Sequence, residues 1–566
     1  MSEVKADDTG GDGNNPDNVR TCKTVIIGAG MAGLSAANHL LKNNINDFVI
    51  IEGRNRVGGR IIAITIDGRR MELGANWIHG ILGNPIYELA SSHGLVNIIQ
   101  ENKPHNVVAT LPDGKRVPFH ILQEIYDAYF WFFKRCEEYF LCKYLPPDGV
   151  KSVGAHLKLE MSIYLEQFSG HERHIRNLIF NYLLNRETCI SGCDSMEEID
   201  LMEIGSYTEL PGGNIILPGG YSSILGPLTK DIPDEKFLKG HPVTSIRWRA
   251  GLEGFNTTDS GLGEDITNKT LLNSDIHLPG CRSGHASVVT SPSKKVRPKV
   301  EVICKNGKKF YAEHVICTIP LGVLKESGKT LFDPPLPDYK VDSINRLCFG
   351  VVDKIYLEYE RPFLNPGLSE VLCLWDPIDL KEPVSERWFK KIYSFTKVSE
   401  TLLLAWISGE EAKYMETLAF DVVSEKCTEI LRQFLNDPFI PKPKRCINTT
   451  WWSQPFTRGS YSALGIGASQ VDITNISHPL YMQPTCSKPA VLFAGEHCHP
   501  SFYSTVHGAY LSGRDAAQVL TENTTPGRMR TITWCTDDEA TSRWTRETIK
   551  STVKDEHFLN NSVYQT

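Results

Sequence analysis

No run of eighteen or more apolar residues occurs in the 566-residue chain, so no membrane-spanning helix is expected. Residues 1–20 are polar, rich in Gly, Asp and Asn, and have no apolar core of a secretory signal. The 15 cysteines are odd in number and scattered, without paired metal spacing. That pattern argues against a disulfide scaffold and a zinc site, and it fits reduced thiols in the cytoplasm. The net charge of −7 gives no electrostatic case for nucleic acid as a partner. One basic stretch, "SPSKKVRPK", reads as a solvated loop, with a nuclear address kept as the alternative. The chain ends Tyr564-Gln565-Thr566, which is not a Ser-Lys-Leu peroxisomal address, and its last 45 or so residues contain no membrane anchor.

What is present begins with "TVIIGAGMAGLSAANHL" at 24–40. A β-branched run enters Gly28-Ala29-Gly30-Met31-Ala32-Gly33, and a helical pattern follows. The first glycine suits a tight turn, and the second admits backbone N–H groups to a pyrophosphate. The third lets helix and strand pack closely. Glu52 ends the next strand nineteen residues after Gly33, where a carboxylate can accept from ribose hydroxyls. An acid there disfavours a 2′-phosphate and so NADP.

The rest of the chain exceeds one small core and implies two domains. From Pro85 to about Ile199 the pattern is largely helical, and "ILQEIYDAYFWFFKRCEEYFLCKYL" reads as a buried helix. "HPVTSIRW" reads as a strand, and a hairpin is expected around Asn306-Gly307. Residues 251–299 read as a disordered surface insertion. In "DKIYLEY", alternation puts Lys354, Tyr356 and Glu358 on one strand face. A lysine turned inward on a strand is costly unless it has a role.

Two further segments carry a family likeness. "RNRVGGRI" follows Glu52 directly, and "FAGEHCHPSFYSTVHGAYLSG" at 493–513 places Gly-Glu after a strand and Thr-Val-His-Gly-Ala at a helix start. Together with "ELGANWIHG", "YTELPGG", "DKIYLEYERPF" and "RGSYS", these resemble the flavin-dependent amine oxidases. Within these the likeness is to the polyamine oxidases, over roughly residues 22–520. Ala63 departs from the pattern, which has Ser or Thr there.

The resemblance implies an α/β, two-domain flavin amine oxidase fold. A Rossmann-like FAD-binding domain (21–84, 211–330 and 485–522) would be interleaved with a mixed-sheet and helical substrate domain (85–210 and 331–484). Residues 1–20 would be a disordered tail and 523–566 a polar extension. Gly28 to Gly33, Glu52, Arg54, Gly59, Arg60, Val243 and Glu496 are implied to hold FAD, with Arg56 and Gly58 in the same motif. Gly74, Ala75, Asn76 and Trp77 would pass its ring. Backbone N–H groups of Thr505 and Val506 would face its C2 carbonyl. His79 and Lys354 would be catalytic, the lysine holding a water near flavin N5. His79, Glu209, Tyr461, Tyr503 and Ser504 would meet substrate, with Trp77 and Trp451 as further wall candidates. Ser460 replaces the cysteine that tethers flavin in monoamine oxidases, so FAD should be non-covalent and no metal is expected.

The implied reaction takes hydride from the carbon beside a secondary amine of spermine or an N1-acetylated polyamine. Water would hydrolyse the imine to a shorter polyamine and an aminoaldehyde, and O2 would reoxidise the flavin to give H2O2. The expected partners are therefore a small polyamine and O2, with no nucleic acid and no membrane; oligomeric state is not legible. The alternatives are a methyl-lysine demethylase and a flavin-free escort protein of small GTPases.

Overall fold

The computed structural model describes residues 19–96, 105–248, 300–482, 486 and 488–522. The expected insertion at 251–299, the C-terminal extension at 523–566 and nearly all of the expected N-terminal tail lie outside the described residues. The tail boundary shifts, because β1 (Val19–Ile27) already begins at Val19. Its start is paired in parallel with the strand Lys309–Cys317, Val19 opposite Lys309.

β1, helix α1 (Met31–Lys42) and β2 (Phe48–Ile51) form a parallel βαβ unit, with Thr24 opposite Phe48. β2 is buried on both faces, as a central parallel strand requires. The eight-stranded sheet continues through Val300–Cys304 and Val243–Arg247 on one side and Phe237–Leu238 on the other. The strand Val491–Phe493 returns from the far end of the chain to pair with Lys309–Cys317. The hairpin around Asn306-Gly307 is present, with Gly307 at φ 79.

A second, six-stranded sheet runs Arg445–Asn448, Val352–Glu358, Leu402–Ser408, Ser394–Ser399, Glu370–Cys373 and Val107–Thr110. That last strand interrupts the stretch expected to be largely helical. Helices Phe119–Cys142, Val153–Leu165 and Gly170–Ser191 pack on this sheet in one apolar cluster. The first of them is not buried all round. Leu122, Ile125, Tyr129, Phe132 and Cys136 face the core, whereas Phe119, Trp131 and Leu141 are exposed. Its aromatics fall on more than one face because only the i, i+3/i+4, i+7 stripe meets the sheet. Among the described residues no helix is long and apolar enough to cross a membrane.

The glycine turn is fixed by contact as well as by conformation. Gly28 has φ 103, and a Cβ on Gly33 would sit 1.9 Å from the Gly28 carbonyl oxygen. Gly33→Ala is therefore expected to push α1 off β1 and destabilise the fold by about 1–3 kcal/mol. Gly226→Ala, whose added Cβ would meet nothing within 4 Å, should change stability by less than about 1 kcal/mol. Urea unfolding of the two variants would check this, and equal midpoints would refute it.

Candidate active site

One continuous cavity of about 1380 Å³ joins the two sheets. It exceeds the roughly 300–1,000 Å³ of a site for a single small ligand. Its first end is the glycine turn. α1 begins after Gly30 with no side-chain cap and no acid in its first turn, so its leading N–H groups and positive dipole end remain available to an anion. Gly30 and Gly59 nearly touch, since a Cβ on Gly59 would lie 3.2 Å from the Gly30 Cα. Gly28, Gly30, Met31, Ala32, Glu52, Arg54, Gly59 and Arg60 line this end, as does Val243. Ala29 and Gly33 stand behind it, Ala29 donating its N–H to Glu52 Oε2 at 2.9 Å.

Glu52 is buried, and its other oxygen accepts from Arg54 N at 2.8 Å. The Arg54 guanidinium lies 5.2 Å from the Phe456 ring centre, and its Nη2 is buried without a hydrogen-bond partner. Burial brings the Arg54 pKa down to about 10. A desolvated, unpaired donor beside open helix N–H groups fits a pyrophosphate. Arg56, by contrast, bonds its own loop through the carbonyls of Val57 and Gly59, at 3.2 and 3.0 Å. Of the two, only the Arg54 guanidinium keeps a buried nitrogen unspent on protein atoms.

Two segments distant in sequence meet at Arg60 and Glu496. Arg60 Nη1 donates to Glu496 Oε1 at 3.0 Å and to the Ser460 carbonyl at 2.5 Å. The other Glu496 oxygen accepts from Ser462 Oγ at 2.5 Å and Ser504 N at 3.0 Å. Burial opposes ionisation of Glu496, but Arg60, His497 and these donors hold its pKa below the usual carboxylate value. The carboxylate, implied by the resemblance to hold FAD, joins sequence-distant segments of the chain through these bonds. Ser504, at φ 68, turns its hydroxyl onto the Ser462 carbonyl. Thr505 caps the helix Val506–Thr521 by accepting from Gly508 N at 3.0 Å, and Val506 lines the cavity. The Ser460 hydroxyl is committed to the backbone of Val352 in both directions, at 2.9 and 3.0 Å.

Lys354 is 2% exposed. Its ammonium donates to the carbonyls of Glu72 and Gly74 and to Asn76 Oδ1, at 2.7, 2.6 and 2.8 Å. All three donors of the charged form are taken, so only the neutral amine, with its lone pair, could engage a water. Burial drives its pKa down to about 7 against the opposing field of Glu72. The segment Gly74–Trp77 is held over the second sheet, with Trp77 stacked on Trp406 at 5.6 Å and the Lys354 ammonium 4.9 Å from the Trp406 ring. Asp353 faces the other way. Its Oδ1 accepts from Thr449 Oγ1 at 2.6 Å and Trp451 N at 3.1 Å, fixing the loop that brings Trp451 to the cavity wall.

His79 and Glu209 line the same cavity. The His79 ring is exposed to the cavity yet crowded by its walls, and that desolvation lowers its pKa. Its Nδ1 pairs with Asn214 Oδ1 at 3.1 Å, so Nε2 presents a lone pair. Tyr461, bonded to the Cys189 carbonyl, and Tyr503, edge-on to Tyr207 at 5.7 Å, supply aromatic wall.

Sequence reasoning missed Trp406, Glu187 and Glu370, which also line the cavity. Burial raises the Glu187 pKa to about 7 despite Arg186 beside it. Trp406 alternates inward in "LLLAWIS" and pairs with Lys354, so strand alternation could have found it. No such signal marks Glu187, because its helix is buried on several faces.

The depressed Lys354 pKa carries a stability consequence. Between about pH 7 and 10.5 the unfolded chain holds a proton that the folded chain has lost, so this residue makes stability rise with pH. Lys354→Met should remove that rise. The wild-type-minus-variant difference in unfolding free energy should increase by a few kcal/mol from pH 6.5 to 9.5 in urea titrations. A difference that does not vary with pH would mean the lysine stays charged throughout.

Over 536 residues the chain is 31% identical to the Homo sapiens protein named peroxisomal N(1)-acetyl-spermine/spermidine oxidase, covering 90% of this chain and 97% of that one. It is 27% identical over 576 residues to probable polyamine oxidase 5 of Arabidopsis thaliana, covering 88% and 98%. A solved structure of a putrescine oxidase triple mutant matches at TM-score 0.61 and 18% identity, over 89% of this chain and 99% of that one. That likeness shows the fold. The model of flavin containing amine oxidoreductases matches residues 31–267 and 280–521. The chain therefore belongs to that family, as a flavin-dependent oxidoreductase acting on amines.

Proposed function

We propose that this enzyme oxidises polyamines, spermine or its N1-acetylated relatives, using non-covalent FAD. The observation that carries the reading is the shape and polarity of this cavity. An anion-binding glycine turn opens into an aromatic-walled space bearing the carboxylates Glu187, Glu209 and Glu370. Apolar and aromatic wall suits methylenes, and carboxylates suit ammonium groups. The human and plant relatives carry polyamine oxidase names, which supports the same substrate class.

When bound, FAD supplies the hydride acceptor and the route to O2. The chain's own contribution is binding, orientation and control of protons. Glu52, Arg54 and the open end of α1 would hold the dinucleotide, and the Arg60–Glu496 pair joins two of the segments that line its site. The reacting amine must arrive neutral. His79 Nε2, kept basic in form by the hydrogen bond at Nδ1, accepts the proton that the amine sheds. Lys354 fixes the backbone of 72–76, and its neutral form accepts a hydrogen bond from the water that hydrolyses or relays. Displacement of water by Trp77, Trp406 and Tyr461 strengthens each of these contacts. With Ser460 Oγ spent on Val352, no side chain at that position is offered for flavin attachment. The free cysteines among the described residues support placing the reaction in the cytoplasm, with the nucleus as alternative. Polyamine and O2 are the partners we assign; neither nucleic acid nor membrane is needed.

Anaerobic mixing of the purified protein with spermine, and separately with N1-acetylspermine, should bleach the oxidised flavin band. A band that neither amine bleaches would refute the polyamine reading while leaving the flavin in place. Acid precipitation should leave the yellow chromophore in the supernatant; colour retained in the pellet would refute non-covalent binding.

A further inference from the structure

The floor of the cavity is one face of the six-stranded sheet. Tyr356 stands opposite Leu404, Leu404 opposite Thr396, Thr396 opposite Glu370, and Glu370 opposite Val107. Lys354 and Trp406 form the adjacent pair on the same face. Lys354, Trp406, Leu404, Thr396 and Glu370 all line the cavity, so the row is a surface open to one ligand. We propose that Glu370, walled by Tyr126, Tyr182 and Tyr393, is a second ammonium subsite that takes the far, uncapped end of the substrate chain. This deepens the polyamine reading above and rests on it.

Spacing is the first argument. Glu370 lies three strand spacings from the strand of Lys354, about 14 Å at about 4.8 Å each. An extended aliphatic amine advances about 1.25 Å per bond. In spermine, nine bonds separate an inner secondary nitrogen from the far primary nitrogen, about 11 Å. The remaining 3 Å or so matches an N–H···O contact to a carboxylate. In N1-acetylspermidine, only five bonds separate the secondary nitrogen from the free end, which therefore falls short of Glu370.

The chemistry of the subsite is the second argument. Glu370 accepts from His105 Nε2 at 3.2 Å and Thr396 Oγ1 at 3.2 Å, which orient the carboxylate. Burial opposes its ionisation, but the bond from His105 and the field of Arg186 prevail and hold its pKa low. Tyr126 and Tyr182 lie 6.4 Å apart, ring centre to ring centre, and Tyr182 meets Tyr393 edge-on at 5.8 Å. Such ring faces attract an ammonium. Besides the mutually paired Lys134 and Glu137, the charged groups on this part of the wall are Glu187, Glu370 and Arg186. Glu187, whose pKa burial raises to about 7, and Glu370 share the one guanidinium of Arg186, which acts on both. Above about pH 7, where both carboxylates are ionised, one further cation restores neutrality, and an arriving ammonium is that cation.

The test compares kcat/KM for N1-acetylspermine, N1-acetylspermidine and N1,N12-diacetylspermine in the wild-type holoenzyme and in Glu370→Gln. The wild type should prefer N1-acetylspermine to each of the others by about ten- to a hundredfold, with the loss carried by KM. Glu370→Gln should collapse those preferences toward unity. The diacetylated probe keeps the polyamine backbone but turns the far ammonium into a bulkier neutral acetamide, so its steric share is read from Glu370→Gln, while equal use of mono- and diacetylspermine by the wild type overturns the subsite even if the variant fails to fold. Equal use of mono- and diacetylspermine, or preferences that persist in Glu370→Gln, would overturn the subsite and leave the polyamine reading standing. Oxidation of spermine but of none of the three would overturn the subsite alone, and oxidation of neither spermine nor any of the three would overturn both.

Discussion

The position of Lys354 is the constraint on which the site depends. A buried ammonium costs several kcal/mol to desolvate unless its donors are satisfied. Here three oxygens satisfy them, and all three belong to the segment Glu72–Asn76, which is remote in sequence. The lysine thus fastens that segment to the sheet face of Val352–Glu358. Tyr356 adds a second bond to the same Glu72 carbonyl at 2.8 Å. Trp77 follows by stacking on Trp406, the cross-strand partner of Lys354. The wall that the resemblance assigns to the flavin ring is therefore indexed to the sheet that forms the substrate floor. A shift of either body would break a buried, charge-assisted network, whose cost resists small displacements.

A second network closes the cavity from the other side. Arg60 follows the glycine turn in sequence, whereas Glu496 follows the returning strand Val491–Phe493. Their pairing, extended by Ser462 and Ser504, joins three parts of the chain distant in sequence. Such a cavity forms only when long-range contacts are complete, because no single segment encloses it.

The βαβ unit was legible because its signals are local: a β-branched run, glycines at fixed offsets and an acid at the end of the next strand. The inward lysine was legible for a similar reason, since period-two alternation needs only seven residues. What escaped were features set by neighbours. The helix Phe119–Cys142 is apolar on more faces than it buries, and the sequence does not say which face meets the sheet. The strand Val107–Thr110 hid inside a helical stretch because the four residues Val-Val-Ala-Thr carry little period. Arg54 and Arg56 are two residues apart in one motif, and only tertiary packing decides which guanidinium turns to the cavity. Glu370 and Thr396 became a pair through strand register, which the sequence alone does not specify.

The two ends of the cavity carry opposite polarity, and that ordering follows from how the fold was built. The glycine-turn end collects backbone N–H groups, a helix N-terminus and Arg54, so it favours phosphate. The sheet-floor end places Glu370, with Glu187 on the wall above it, so it favours cations. A polyamine would attract the pyrophosphate strongly if the two shared one region. The aromatic and apolar span through Trp77, Trp406 and Leu404 separates them and offers neither charge a resting place. Lys354 stands at that span bonded to two backbone carbonyls and the Asn76 side chain, and burial lowers its pKa to about 7, so above that pH it does not repel an incoming ammonium as an exposed lysine would. The burial that costs this lysine its proton thus keeps the span free of charge, which is what the proposed oxidation of a neutral amine would require.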